Sequence, residues 1–249
     1  RVILTYALEP VMNRDEWDRL AGFYIYGEDG ERYELARVLT PFMMWGATYA
    51  FEVDISHLRP LLNGNRKLQI YAGSAVNKGF SASASLTFYD RAEGVAPLPR
   101  PIGVTKLWSG SAHFNKPETV EKLFVDREIA VPSEASSAIA FTTVTGHGVL
   151  EFKPVMRTLT VNGHAYENRL WTQDCYLNPM RPQFGTWKYD RAGWGPGSIA
   201  RTWNVDLTRH LEDSDVLKIS YKPEMVEVKK WAQHVVEAIV VFYESPDWP

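Results

Sequence analysis

Carboxylates, one arginine and one tryptophan lie together at residues 15–19 (DEWDR), between two predicted strands near the start of the chain. Side chains between strands gather at one end of a sheet, where loops position functional groups. A carboxylate such as Asp18 could act there as a general acid or base if it faces a cleft that tunes its pKa. The alternative is a solvated network of surface charges, the commoner explanation of any run of charged residues.

A second candidate carboxylate, Glu151, lies in the loop 146–152 (GHGVLEF) after another predicted strand. Glycines bend this loop and bring Glu151 beside the aromatic ring of Phe152. His147, between two glycines, has an imidazole that titrates near neutral pH and could serve as a base. A solvated glutamate and an ordinary histidine are the alternatives, and the loop alone does not decide between them.

The longest irregular stretch is residues 171–197, which holds three Trp, two Arg, three Pro and four Gly without a helical or strand period. Loops of this length are uncommon in compact domains and usually functional. Asp190 and Arg191 precede Trp194 and would offer charged groups beside an aromatic face, which suits a hydroxyl-rich ligand such as a sugar. The alternative is a structural loop that closes one end of a barrel.

Composition excludes several classes of protein. The net charge is −3 with both signs mixed along 249 residues, so no basic surface for nucleic acid or an anionic membrane is indicated. No apolar run is long enough to span a bilayer. Cys175 is the single cysteine, and the sequence has no zinc-binding spacing, Gly-rich phosphate loop or GxSxG elbow. No metal or other cofactor is therefore predicted.

Short runs that alternate apolar and polar residues recur from end to end, as expected of half-buried strands. Such strands are predicted at 1–8, 22–26, 33–39, 51–55, 68–71, 81–89, 104–108, 120–131, 137–145, 157–161, 202–208, 216–221 and 234–243. Many short strands separated by turns indicate an all-β antiparallel sandwich or barrel. Two short helices are predicted, at 58–62 and 226–233. Three prolines in residues 97–101 form a stiff linker, so the predicted domains are 1–97 and 98–249.

Several motifs occur in the same order and with similar spacing as in a known family. In the first half they are DEWDR (15–19), LTP (39–41), EVDI (52–55), LLNGN (61–65) and LQIY (68–71). In the second half they are TTVTGHG (142–148), EF (151–152), VNG (161–163), DC (174–175), NP (178–179), GTW (185–187), DRAGW (190–194) and PG (196–197). With these motifs the chain resembles the peptide-N-glycosidase F family over almost its whole length.

The resemblance implies two adjacent eight-stranded antiparallel jelly-roll domains with an active site in the groove between them. It implies hydrolysis, without a metal or another cofactor, of the amide that joins an asparagine side chain to the first GlcNAc of an N-linked glycan. The expected partner is an N-glycoprotein or glycopeptide, and the expected state is a secreted or periplasmic monomer. The family has a segment upstream of Arg1, so we expect a processed or trimmed chain with a truncated first strand.

By resemblance, the catalytic residues are Asp18, Glu151 and Arg191, and the substrate-binding residues are Trp17, Arg19, Phe152, Asp190 and Trp194. An unactivated amide needs a positioned water, a proton for the departing nitrogen and stabilisation of the tetrahedral oxyanion. Asp18 is assigned to the nitrogen or to the water beside it, and Glu151 to orienting water or substrate. Arg191 is assigned to sugar hydroxyls or the carbonyl oxygen, while Trp17 and Trp194 would stack on GlcNAc.

Several family positions differ in this sequence. Gly73 stands where the family has a third carboxylate, and Ala75 stands where a tryptophan lines the sugar site. Family cysteines are replaced at three positions, Val149, Lys153 and Gly195, of which the last is the expected disulfide partner of Cys175. Two functions therefore stay open: an amidase with an altered sugar pocket, and a non-catalytic glycan-binding or structural surface protein that retains the fold. The histidine spacing of a copper monooxygenase, which shares the general fold, is absent.

Overall fold

The computed structural model describes residues 1–10, 16–42, 49–75, 79–90, 93–178, 180–212 and 214–246. Its strands are β1 (Val2–Pro10), β2 (Leu20–Tyr26), β3 (Arg32–Leu39), β4 (Tyr49–Asp54), β5 (Leu68–Ala72), β6 (Phe80–Phe88), β7 (Arg100–His113), β8 (Arg127–Ala130), β9 (Ser137–Gly148), β10 (Val155–Val161), β11 (His164–Leu170), β12 (Thr202–Asp206), β13 (Val216–Pro223) and β14 (Ala232–Glu244). One α-helix, α1, spans Pro117–Leu123, and 3-10 helices span Ser56–Leu62, Cys175–Leu177 and Thr208–His210. All strand pairs are antiparallel, so the all-β prediction is confirmed.

The chain forms two compact units, and each contains segments that are distant in sequence. Unit 1 comprises Arg1–Glu93, Gln173–Asp190 and Trp194–Ala200, and unit 2 comprises Gly94–Thr172, Arg191–Gly193 and Arg201–Pro249. The long irregular loop is therefore divided, because residues 171–172 and 191–193 belong to unit 2 while the rest of the loop belongs to unit 1. The domain boundary at 97/98 stays a prediction, since units defined by packing do not establish which segments fold independently.

Unit 2 has the strand order of a jelly roll. Its eight strands form two four-stranded sheets, ordered β11-β10-β13-β8 and β12-β9-β14-β7. Four nested antiparallel pairs, β7 with β14, β8 with β13, β9 with β12 and β10 with β11, produce this order. Such an arrangement results when one long antiparallel ribbon wraps into a double-sheet sandwich. The eight-stranded jelly roll expected for the second half of the chain is confirmed here.

The core of unit 2 lies between these two sheets, where alternate residues of the strands point inward. In β10 every second residue is buried from Val155 to Val161. Trp108 of β7 is almost fully buried, and its indole N–H donates a 2.8 Å hydrogen bond to the carbonyl oxygen of Val125. A buried tryptophan whose polar atom is satisfied adds a large apolar area without a desolvation penalty.

Three secondary-structure predictions for this half were wrong. The first part of the strand predicted at 120–131 is helix α1, which begins with Pro117 and has Glu118 in its first turn and Lys122 in its last turn. These are favourable helix positions for the three residue types. The helix predicted at 226–233 is absent, because residues 224–231 are irregular and β14 begins at Ala232. Strand β11 was not predicted, because it is a polar edge strand with little apolar alternation.

Unit 1 contains two three-stranded sheets among the described residues, ordered β4-β1-β6 and β3-β2-β5. Each of these six strands overlaps a predicted strand, and the 3-10 helix Ser56–Leu62 confirms the short helix predicted at 58–62. The central strands supply the core, with Leu4, Tyr6 and Leu8 of β1 at 0% exposure. Unit 1 thus has the same antiparallel construction, with six described strands in place of the expected eight.

The end of the long loop covers the free edge of β3 in unit 1. The Leu39 N–H donates to the Ser198 carbonyl oxygen at 3.1 Å, and the Gly197 N–H donates to the Leu39 carbonyl oxygen at 2.7 Å. The Ala200 N–H also donates to the Arg37 carbonyl oxygen at 2.8 Å. An edge strand presents unpaired backbone groups that a covering segment can satisfy. Residues 197–200 are therefore held by backbone hydrogen bonds rather than by side chains alone.

None of the helices in the described ranges is long and apolar enough to cross a membrane.

His234 of β14 is a buried histidine whose two ring nitrogens have no hydrogen-bond partner among the described residues. Its ring packs against Phe114 with 4.5 Å between the ring centroids. Burial lowers the pKa of His234 to about 3, and the nearby charges of Arg157 and His147 act in the same direction. The folded protein therefore keeps this imidazole neutral at a pH where an unfolded chain would protonate it.

We expect the free energy of unfolding to fall as the pH falls from 6.5 towards 3. In that interval the unfolded chain binds a proton at His234 that the folded chain does not bind, so acid favours unfolding. The contribution of His234 to the loss at pH 5 should be about 2 kcal/mol relative to pH 7. Urea unfolding measured across this range tests it, with His234→Phe as the matched variant. His57, whose pKa burial lowers to about 4, contributes to the same interval in both proteins. Equal pH dependence in the two proteins would refute the assignment.

Candidate active site

Glu151 and Arg191 form an ion pair in unit 2. Arg191 Nε donates a 2.8 Å hydrogen bond to Glu151 Oε1. The Arg191 side chain is 0% exposed, whereas that of Glu151 is 22% exposed. A guanidinium at this distance from a carboxylate orients it with a charge-assisted hydrogen bond. The carboxylate of Glu151 remains the solvent-accessible member of the pair.

The backbone brings these two residues together. The Ala192 N–H donates to the carbonyl oxygen of Glu151 at 2.9 Å, and the Gly146 N–H donates to the carbonyl oxygen of Ala192 at the same distance. Arg191 also exchanges backbone hydrogen bonds with Thr172, at 2.6 and 3.2 Å. The turn formed by residues 191–193 is therefore hydrogen-bonded to the end of β9, to the turn that contains Glu151 and to residue 172. Two segments forty residues apart in sequence are thus fixed against each other.

Glycines at two positions make this close approach possible. Gly193 has a φ of +83°, and a Cβ atom on it would lie 2.1 Å from the carbonyl oxygen of Val144. Gly148 has a φ of +65°, and a Cβ atom there would lie 2.3 Å from the carbonyl oxygen of Trp231. Left-handed backbone with no room for a side chain restricts both positions to glycine. These contacts let the turns that carry Arg191 and Glu151 pack directly on the backbone of β9 and of residue 231.

Phe152 and His147 have different positions beside the pair. The Phe152 ring is 47% exposed, and the Arg191 guanidinium carbon lies 4.7 Å from its centroid. This cation–π contact leaves much of the ring open to solvent. His147 is buried, and its Nε2 lies 2.9 Å from Thr145 Oγ1 within β9. Of the two, Phe152 is the residue with surface available to a ligand.

The burial of Arg191 changes its predicted role. Sequence reasoning assigned the guanidinium to sugar hydroxyls or the substrate carbonyl oxygen, which requires an accessible group. The structure shows a fully buried side chain bonded to Glu151 and stacked on Phe152. In this conformation the Arg191 side chain contacts Glu151 and Phe152 and has no exposed surface for a ligand. We therefore expect Arg191 to act by positioning the carboxylate of Glu151.

The segment that contains Asp18 lies in unit 1 and is fixed by Thr40. The Arg19 N–H donates to Thr40 Oγ1 at 2.8 Å, and the Thr40 N–H donates to the carbonyl oxygen of Arg19 at 2.8 Å. Asp18 and Arg19 are half-buried. Trp17 is 57% exposed and makes an edge contact with Phe42 at 6.1 Å between ring centroids. The exposed indole and the adjacent carboxylate thus lie on one hydrogen-bonded segment of unit 1, while Asp15 lies outside the described residues.

Gly73, which the family resemblance aligns with a third carboxylate, lies directly beside this segment. Its N–H donates to the carbonyl oxygen of Leu20 at 2.9 Å. A Cβ atom on Gly73 would lie 3.4 Å from the Cβ of Arg19. A carboxylate at this position would therefore start next to Arg19, and its absence removes a negative charge from the immediate surroundings of that arginine.

Asp190 and Trp194, the remaining predicted ligand contacts, also belong to unit 1. Asp190 is half-buried. Trp194 is 2% exposed and packs in a cluster with Leu39 and Ala200. In this position Trp194 stabilises the loop from inside and has no face open for stacking on a sugar. The structure thus groups Glu151, Phe152 and Arg191 in one unit and Trp17, Asp18 and Arg19 in the other. Whether Asp18 and Glu151 act on the same bond stays a prediction.

The position of the missing disulfide is visible in unit 1. Cys175 is a buried free thiol, and a Cβ atom built on Gly195 would lie 3.3 Å from its Sγ atom. Cys175 Sγ also lies 3.6 Å from the carbonyl oxygen of Trp194. The distance is close to that needed for a disulfide, which requires a specific and short separation. Packing in this protein thus takes the place of a covalent bond at this point of the loop.

We expect Gly195→Cys to form a disulfide with Cys175 under oxidising conditions and to stabilise unit 1 by about 3 kcal/mol, because the bond closes a loop of about twenty residues. Thiol titration and urea unfolding with and without reductant measure the effect. Gly195→Ser, which adds a side chain of similar size without a bond, is the matched control. A free thiol at both positions under air would contradict the geometry.

Comparison with known proteins identifies the family. Residues 113–241, just over half of the chain, match the family model described as peptide-N-glycosidase F, C terminal. Peptide-N(4)-(N-acetyl-beta-D-glucosaminyl)asparagine amidase F of Elizabethkingia miricola is 28% identical over an alignment of 230 residues that covers 84% of this chain and 63% of that relative. The match thus spans less than two thirds of the relative's length.

Solved structures share the fold. PNGase F, a glycosylasparaginase from Flavobacterium meningosepticum, superposes with a TM-score of 0.82 at 23% identity, covering 98% of this chain and 85% of that one. A crystal structure of a peptide-N(4)-(N-acetyl-beta-D-glucosaminyl) asparagine amidase gives a TM-score of 0.75 at 24% identity, covering 99% of this chain and 86% of that one. These likenesses concern the fold, and the family assignment rests on the matched residues 113–241. The chain therefore belongs to the peptide-N-glycosidase F family.

Proposed function

We propose that this protein is an amidase that hydrolyses the bond between an asparagine side chain and the first GlcNAc of an N-linked glycan. The observation that carries the proposal is the ion pair between buried Arg191 and accessible Glu151, on the residues that the family resemblance assigns to catalysis. A buried cation that orients a half-buried carboxylate is costly to maintain without a use for the carboxylate. The arrangement supports a role for Glu151 in chemistry.

In the proposed reaction a water attacks the carbonyl carbon of the asparagine side chain. The tetrahedral intermediate then expels the nitrogen, so the carbon–nitrogen bond breaks and an aspartate and a glycosylamine result. Asp18 transfers a proton at the departing nitrogen or at the attacking water, and Glu151 orients the water or the substrate. A positioned carboxylate of this kind contributes roughly a hundred- to ten-thousand-fold to a rate.

Other side chains serve the substrate rather than the reacting atoms. Trp17 is 57% exposed and supplies an apolar face for a sugar ring, while Arg19 beside it supplies hydrogen-bond donors. Phe152 supplies a second exposed aromatic surface next to Glu151. By the family resemblance Gly73 and Ala75 replace larger side chains, so we expect the sugar subsite to offer more space and one less negative charge than the family pattern.

Glycan release from a denatured N-glycoprotein tests the proposed function. Incubation should liberate glycan and convert the glycosylated asparagine to aspartate, both of which mass spectrometry detects. Glu151→Gln, which keeps the shape of the side chain and removes its charge, should abolish most of the release. Intact glycoprotein after prolonged incubation with the folded wild-type chain would refute the amidase.

A non-catalytic glycan-binding protein is the second candidate. One observation favours it: Gly73 and Ala75 lack the functional side chains that the family resemblance places at these positions. Such a protein would bind GlcNAc-containing glycans with measurable affinity and leave the asparagine amide intact. Binding and turnover assays on the same glycopeptide therefore separate the two functions.

A further inference from the structure

A pocket of about 330 Å³ lies in unit 2, outside the Glu151–Arg191 pair. It is bordered by β10, β11 and β12, and the last two are edge strands of the two sheets of the sandwich. A volume of this size is at the lower end of the range for small-molecule sites. Three arginines and two tryptophans line the pocket together with two asparagines, and no Asp or Glu of the described chain does so.

The floor of the pocket contains a buried arginine. Arg157 occupies an inward position of β10 and is 5% exposed. Its Nε donates a 2.9 Å hydrogen bond to Asn168 Oδ1, and its guanidinium carbon lies 4.9 Å from the ring centroid of Trp203. Its Nη1 has no partner at hydrogen-bond distance among the described residues, and the nearby hydroxyl of buried Tyr221 favours the charged guanidinium. Burial lowers the pKa of Arg157, yet a guanidinium stays protonated in proteins.

A buried donor without a partner on a permanent cation is costly, because its lost hydration is not replaced. An oxygen of a bound anion is the group that would satisfy both the charge and the free N–H. Water could satisfy the N–H but would leave the charge uncompensated. The buried guanidinium therefore points to an anionic ligand.

Two further arginines extend the positive charge to the mouth of the pocket. Arg169 of β11 and Arg201 before β12 are both exposed lining residues. Within the part of the chain that the structure describes, neither makes an ion pair with a carboxylate. Three cations around one concave surface focus a positive potential there, although the whole chain carries a net charge of −3.

We propose that this pocket binds the carboxylate or sulfate group of an acidic sugar residue. The anion would lie against Arg157, with Arg169 and Arg201 at the entrance. The rings of Trp171 and Trp203 would contact the apolar face of the sugar, and neighbouring amides would bind its hydroxyls. The anion part of the proposal rests on the arginines alone, whereas the sugar part rests on the proposed function in glycan processing.

Isothermal titration of the whole chain tests the proposal with five probes: sialyllactose, lactose, GlcNAc 6-sulfate, GlcNAc and sodium sulfate. None of these contains an asparagine amide, so amidase activity cannot consume them. We expect the two acidic sugars to bind at least about ten-fold more tightly than their neutral counterparts, and the difference to shrink as salt is raised. Equal binding of acidic and neutral sugars, or no binding of either, would overturn the proposal.

Variants locate the binding. Arg169→Ala and Arg201→Ala alter exposed side chains and should each weaken the acidic sugars about ten-fold. Arg209→Ala, an exposed arginine of unit 2 outside the pocket, is the matched control and should bind like wild type. Arg157→Met should abolish acid-specific binding if it folds. Unchanged affinity in both exposed variants would place the ligand elsewhere and refute the proposal.

The sodium sulfate titration separates the two parts of the inference. Sulfate that binds as tightly as the acidic sugars would reduce the pocket to an anion site and overturn the sugar part. The glycan-release assay on the same preparations is independent of these titrations. Acid-specific binding without any glycan release would refute the proposed amidase and support the pocket assignment. Glycan release without acid-specific binding would support the amidase and refute the pocket assignment.

Discussion

Asp18→Asn should lower the rate of glycan release by roughly a hundred- to ten-thousand-fold, the contribution of a positioned general acid or base. Asparagine has nearly the same shape as aspartate but cannot take up or deliver a proton at neutral pH. The half-buried segment around Asp18, held by the hydrogen bonds between Arg19 and Thr40, should therefore keep its structure. Initial rates on a fluorescent N-glycopeptide measure the effect.

Glu16→Gln is the matched control for this prediction. Glu16 is an exposed carboxylate two residues before Asp18 on the same segment. Exposed single charges contribute little, so this variant should release glycan at nearly the wild-type rate. Urea unfolding of both variants checks that neither is destabilised. Equal rates for Asp18→Asn and wild type would remove Asp18 from the mechanism, and equal losses in both variants would indicate a general charge effect.

The second large effect concerns the turn that delivers Arg191. Gly193→Ala should lower the free energy of unfolding by about 3 kcal/mol or more, from an unfavourable left-handed backbone and from overpacking. The added methyl group would lie 2.1 Å from the carbonyl oxygen of Val144 and 2.9 Å from a methyl carbon of Leu170. Val144 is paired with Val236 in the sheet and has little freedom to move. Urea unfolding gives the stability.

Gly163→Ala isolates the steric part of this effect. Gly163 has a φ of +81°, nearly the same as Gly193, but a Cβ atom there would have no neighbour within 4 Å. Its substitution should cost only the backbone part, about 1 to 2 kcal/mol. We also expect glycan release to fall in Gly193→Ala and not in Gly163→Ala, because a displaced turn would move Arg191 away from Glu151. Similar stability losses in the two variants would contradict the close approach.

Local pattern predicted most of the strands because each strand carries its own signal. In β1 apolar residues alternate and Leu4, Tyr6 and Leu8 are buried as the period of two requires. This alternation was not recognised in β11, which contains few apolar residues. It was also misleading at α1, a helix of two turns that precedes a strand. Arg157 did carry a signal that was overlooked: a charged residue in phase with the buried residues Leu159 and Val161 of β10.

The candidate site depended more strongly on tertiary structure. The motif that contains Arg191 and Trp194 suggested exposed ligand contacts, because arginine and tryptophan in a polar loop are usually accessible. In the folded chain residue 191 is bonded to Glu151 and residue 194 is 2% exposed. Burial of this kind depends on which distant segments cover the loop. No local period encodes that information.

By itself, the sequence determined the β-class, most strand positions, the lack of an internal disulfide and the motifs that identify the family. These properties depend on residue types and on spacing along a short stretch of chain. Tertiary structure alone decided that Arg191 orients Glu151, that Gly193 must be glycine and that three arginines surround one pocket. The physical reason is that nested antiparallel pairing brings residues forty or more positions apart into contact. Those contacts set burial and charge pairing, which residue type alone does not fix.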